Sequence, residues 1–119
     1  MNPNCTIYKT FDIIGKKWSL VILLELSKGK NNSKRYSVLK KSLPDITPKV
    51  LSERLRDLES HSLINKVVDS SVFPVKSTYS LTESALELLS HVDSIKKWAL
   101  KWNIKNDHCD ITKCKDCPF

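Results

Sequence analysis

At 119 residues, 40% of them hydrophobic and 28% charged, the chain is sized for one domain around a single core. Its longest apolar run, Leu20 to Leu24, falls far short of the roughly 20 residues a membrane helix needs, and "MNPNCTIYK" lacks a secretory pattern. The expected setting is therefore cytoplasmic with no membrane partner, and a net charge of +7 favours an anionic partner such as nucleic acid.

Two glycines and five prolines predict mostly helices joined by short turns. "FDIIGKKWSLVILLELSKG" predicts a turn at Gly15 and a helix from about Trp18 to Ser27, stopped by Gly29. Only Ser19 and Glu25 are polar between Trp18 and Leu26, so this is a central core helix and Trp18 a packing residue. The next stretch, "KGKNNSKRYSVLKK", carries six cations (Lys28, Lys30, Lys34, Arg35, Lys40 and Lys41) and no acid. It begins as a loop and continues as a short helix from Tyr36 to Ser42. A solvated basic surface reads this way, but the unbroken sign suits backbone phosphate better.

In "LPDITPKVLSERLRDLESHSLI", Thr47 is an N-cap and Pro48 takes the first helical position, where its missing N–H is not needed. Leu51, Leu55 and Leu58 form one core stripe, while Lys49, Glu53 and Arg56 point away, with Ser52 at the side and Arg54 nearer the core edge. Such a face suits a major-groove reader, and also any amphipathic surface helix. "LINKVVDSSVFPVKSTYSLT" then alternates twice, over Ile64 to Val68 and Ser77 to Leu81, predicting a β-hairpin with Pro74 in its tip. Helix, helix and hairpin on a basic chain is the order of a winged helix-turn-helix.

Thr82 caps a long last helix reaching about Asn103. Ala85, Leu88, Val92, Ile95, Ala99 and Trp102 make a heptad-like seam, with Leu86, Leu89 and Leu100 as a second apolar row. One row can pack on the domain itself; the other calls for a partner helix. The expected fold is mainly α with a small β-hairpin, a winged helix-turn-helix with a long C-terminal dimerisation helix. Residues 1–107 form the DNA-binding and dimerisation domain, and 108–119 a cysteine-rich tail.

Through an N-terminal cysteine, "IIGKKWSLVILLEL", "LPDITPKVLSERLRDLE", "SLINK" and "YSLT", the chain resembles HxlR-type winged helix-turn-helix transcription regulators, relatives of the MarR group. The resemblance covers about Cys5 to Ile104. It implies a homodimer joined by N- and C-terminal helices, with the Thr47 to His61 helix in the major groove. It also implies that the hairpin around Val72 to Lys76 touches the minor groove or nearby phosphates, and that Cys5 matches a thiol which senses oxidants in some members. The chain departs from the family pattern at Lys16, where a glycine is usual, in the longer turn "GKNNSKRY", in the length of the wing, and at Ala85.

His61, His91 and His108 are scattered, and no nucleophile elbow or phosphate loop is present, so no enzyme activity is expected. The expected function is transcriptional regulation by a dimer binding a pseudo-palindromic duplex operator. Thr47 caps the reading helix, Lys49, Ser52, Glu53 and Arg56 lie near base edges, and Lys34, Arg35, Arg54, Lys66 and Lys76 face phosphates. The rivals are a winged-helix protein-docking module and a small metal or redox protein. The cysteines keep that last reading open. Cys109, Cys114 and Cys117, with Cys5 or His108, could hold zinc or an iron–sulfur cluster, form structural or regulatory disulfides, or remain free thiols.

Overall fold

The computed structural model describes residues 1–118. Its elements run α1 (Thr6–Ile14), α2 (Ser19–Ser27), β1 (Ser33–Arg35), α3 (Tyr36–Ser42), α4 (Pro48–Ser60), β2 (Ile64–Asp69), β3 (Lys76–Leu81), α5 (Glu83–Trp102) and α6 (Asp107–Ile111). The central apolar run is α2, whose Ile22, Leu23 and Leu26 are wholly buried. Against them pack Leu39 of α3, the Leu51, Leu55 and Leu58 stripe of α4, and Ala85 of α5. Each buried leucine contributes about 1.5–3 kcal/mol by leaving water, so this cluster holds the helix-turn-helix together.

Both predicted caps form. Thr47 Oγ1 accepts the Val50 N–H at 3.2 Å, with Pro48 opening α4. Thr82 Oγ1 accepts the Ala85 N–H at 3.3 Å and donates to the Ser62 carbonyl at 2.7 Å, tying α5 to the end of α4. Ser62 sits at φ 60, and the Leu63 N–H reaches back to the Leu58 carbonyl at 3.0 Å, a left-handed C-terminal cap made without glycine.

The expected hairpin is present but enlarged: β1 adds a third strand, giving the antiparallel order β1-β3-β2. Ser33, Lys34 and Arg35 pair with Ser80, Tyr79 and Thr78. Gly29 makes the approach to β1 feasible, because a side chain there would collide with the Ser33 carbonyl. In β2 only Ile64 is buried. Beyond it the β2–β3 ribbon leaves the body as a wing, consistent with a radius of gyration of 15.4 Å, against roughly 13–14 Å for a compact chain of this length.

The α1 helix stands where the family resemblance implies an N-terminal helix, although the residue pattern alone is read as no helix before Gly15. It buries no residue and leaves Ile7, Tyr8 and Phe11 exposed. The seam on α5 divides along its length. Ala85 is fully buried and Leu88 packs on the core, whereas Ile95, Trp98 and Trp102 are 56%, 56% and 67% exposed. Beyond α5 the tail folds back. Asn106 caps α6, Lys96 Nζ donates to the Thr112 carbonyl at 2.5 Å, and a 3-10 turn at Cys114–Asp116 comes to lie beside α2.

Candidate nucleic-acid interface

With Leu51, Leu55 and Leu58 turned into the core, the opposite face of α4 is fixed by helical geometry. Lys49 and Arg56 are exposed on it, and Ser52 and Glu53 are half-exposed beside them. These four candidate base readers therefore share one outward face. Thr47, also exposed, heads the same helix.

The candidate phosphate ligands separate into two groups. Arg35, Lys66 and Lys76 are exposed on or beside the wing, with the Lys66 ammonium 5.9 Å from the Tyr79 ring centroid. Lys34 and Arg54 are instead engaged within the monomer. Lys34 Nζ pairs with Glu25 Oε2 at 3.1 Å, and its side chain is only 14% exposed. Arg54 Nε donates to the Lys17 carbonyl at 3.0 Å. Both were expected to face phosphate; within the monomer Lys34 Nζ is engaged by Glu25 and Ser42, and Arg54 keeps its outer guanidinium N–H groups beyond the Lys17 contact.

The Arg54 contact belongs to a small clamp. Lys16 Nζ lies 3.4 Å from Asp57 Oδ2, and Arg54 Nη1 approaches the same oxygen at 4.0 Å. Two α4 residues thereby grip the α1–α2 junction, where Trp18 takes a left-handed backbone at φ 83. The junction residues are 37 and 41 positions from their α4 partners, and no local pattern announces the clamp.

At the wing, the Asp69 carboxylate accepts from Ser71 Oγ at 2.5 Å and the Ser71 N–H at 3.0 Å. The Ser71 hydroxyl, then its N–H, then the charges of Lys76 and Arg35 hold this carboxyl below the ordinary aspartate range. Arg35 to Ser37 and Pro74 to Ser77 enclose a shallow groove between the body and the wing.

The four cysteines are half-buried free thiols. Cys117 Sγ lies 3.7 Å from His108 Nε2. Among the described residues no group of three or more His, Cys, Asp or Glu side chains is gathered tightly enough for a metal ion, so the spacing of Cys109, Cys114 and Cys117 has not become a ligand set. Among them too, no helix is long and apolar enough to cross a membrane.

The HxlR-like helix-turn-helix family model matches residues 13–107. The HTH-type transcriptional regulator YtcD of Bacillus subtilis (strain 168) is 40% identical over 95 residues, covering 80% of this chain and 72% of its own. The crystal structure of ytcD superposes with a TM-score of 0.74 at 36% identity, over 82% of this chain and 95% of that one. The reduced form of the transcriptional regulator YodB from B. subtilis follows with a TM-score of 0.72, 30% identity, and 87% and 98% coverage. The redox regulator HypR in its reduced form gives 0.70 and 30%, over 82% and 92%. These neighbours share the winged-helix architecture and are transcriptional regulators.

Proposed function

The chain belongs to the HxlR-like helix-turn-helix family of transcriptional regulators, and from that premise we propose that it binds a specific duplex operator as a homodimer. The observation that carries this reading is the outward face of α4, a capped helix seated on the core with Lys49 and Arg56 exposed. Lys49, Ser52, Glu53 and Arg56 contact base edges in the major groove, and Arg35, Lys66 and Lys76 contact phosphates. The dimer is formed by α1 and the outer half of α5. Ile7, Tyr8 and Phe11 on the first, and Ile95, Trp98 and Trp102 on the second, would otherwise remain in water. Two α4 helices about 34 Å apart then read half-sites one helical turn apart.

A mobility-shift assay on the promoter of the protein's own gene, at two salt concentrations and with excess competitor DNA, tests the reading. Specific binding should survive the competitor. The double variant Lys49→Ala, Arg56→Ala should lose site preference while keeping weak, salt-sensitive binding. A double variant with unchanged preference removes α4 as the reader.

A second reading adds thiol responsiveness. It is favoured by the Cys117–His108 contact and by Cys5 standing at the head of α1, the proposed dimer helix. Oxidation with diamide should join two thiols with loss of two protons and two electrons to the oxidant, and lower operator affinity. Cys5→Ser with Cys117→Ser should abolish the response; if the oxidised wild type binds as before, this reading is excluded.

A further inference from the structure

The wing ends in "SSVFPVK", and Phe73 at its tip is 99% exposed. Isolated exposed apolar side chains are ordinary, but this one is not isolated. Val72 and Val75 flank it in solvent, and Val67 and Val68 continue the exposure down β2. The ribbon beneath is paired up to its tip, with Val68 opposite Ser77 and Asp69 opposite Lys76. Ser71 bonds twice to Asp69 and fixes the turn that leads to Phe73. Around the base of this apolar tip stand Lys66, Lys76 and Arg35, while the nearby acid, Asp69, is committed to Ser71.

An apolar point on a cationic stem is the construction of elements that enter the minor groove: cations hold the two phosphate walls while an apolar side chain wedges between base pairs. We infer that Phe73 is such a wedge, entering the minor groove beside each half-site and partly unstacking one base step. This inference rests on the duplex-binding reading above and deepens it. Arg35 and Lys76 hold the phosphates on either side of the step. The step that opens most easily is pyrimidine–purine, TA or CA/TG, so the wing selects such a step without hydrogen-bonding to it. The duplex bends away from the inserted ring, toward the major groove. A protein-binding tip would have no need of the three cations at its base.

The test uses the full chain and duplexes that it selects from a random-sequence library. In each selected duplex, 2-aminopurine is placed at successive flanking steps, and the TA or CA/TG step is exchanged for a GC step in a second set. Wild-type protein should raise 2-aminopurine fluorescence severalfold at one step per half-site and bind the exchanged duplex roughly tenfold more weakly, the scale of one mismatched position. Phe73→Ala should abolish the fluorescence rise and the discrimination together, whereas Phe73→Leu, which keeps an apolar wedge, should retain most of both. Equal thermal midpoints for the three proteins are expected, since the ring is fully in solvent.

Three results overturn the wedge while leaving duplex binding intact. The first is an unchanged fluorescence rise in Phe73→Ala. The second is unchanged step discrimination in that variant, as a protein-docking tip would give. The third is a wild-type complex with no unstacked step. Failure of the wild type to select any duplex instead defeats the duplex-binding reading, and the wedge with it.

Discussion

Two lysines show how little of a residue's role lies in its charge alone. Lys34 stands in a run of cations and Lys76 is the lone cation of "VFPVKSTYS", yet Lys34 is half-buried against Glu25 and Lys76 is in solvent. Lys34→Ala should therefore lower stability by about 1 kcal/mol, the scale of a lost charge-assisted bond, and leave the salt dependence of DNA binding unchanged. Lys76→Ala should do the reverse, leaving the urea midpoint in place and reducing the slope of log K against log salt by about 0.9 per lost phosphate contact. Urea titration and binding at several salt concentrations separate the two. The sequence places Arg54 on its helix but reads Lys34 as loop where the structure has strand β1, and the partners of both are tertiary. Glu25 is nine positions from Lys34, and the Lys17 carbonyl is 37 positions from Arg54. Ion-pair commitment of this kind cannot be read from charge patterning.

At the scale of elements, legibility followed the strength of local signals. The α4 and α5 helices combine a threonine cap with apolar spacing, and both begin where that reading puts them. The α1 helix lacks a side-chain cap, but Ile7, Phe11 and Ile14 at i, i+4 and i+7 do mark an apolar stripe, so it was legible by spacing although the residue reading omits it. By contrast, β1 is three residues long and exists through its pairing to β3, more than 40 positions later. In the tail, the cysteine spacing suggested a cluster, whereas backbone folding against α5 and α2 dictates where those residues go. The wing carries a pH signature of its own. Asp69 is depressed by the Ser71 hydroxyl first, so the turn's added stability is fully present above the ordinary aspartate value of 3.8 and disappears as pH falls through the lower folded value. Carboxyl chemical shifts followed by NMR should show Asp69 titrating below that value. Ser71→Ala should return it upward, and an unmoved titration would mean the turn bonds are absent in solution.

For the whole molecule, the two apolar surfaces on α1 and the outer half of α5 are the proposed dimer interface. Trp98→Glu with Trp102→Glu should yield a folded monomer by sedimentation velocity, with helix content by circular dichroism retained, because both side chains lie outside the core. Operator affinity should fall by two orders of magnitude or more once the two half-sites are bound separately. If this variant still sediments as a dimer, the interface lies elsewhere. The clamp that Arg54 and Asp57 place on Lys17 and Lys16 ties α4 to the turn between α1 and α2. In the proposed dimer, a shift of α1 would therefore reach α4 through this turn.

The division of α5 also bears on which subunits may meet. Residues at its start, Ala85 and Leu88, are held by their own domain and cannot vary without loss of folding. Ile95, Trp98 and Trp102 owe nothing to that core, so bulk and shape there can drift while the monomer stays intact. Discrimination between partners needs such independence, since it requires surfaces that can be made incompatible with close relatives at no expense to the fold. Under the proposed dimer, one helix thus carries the signature of the fold at one end and, at the other, an address by which a subunit recognises its own kind.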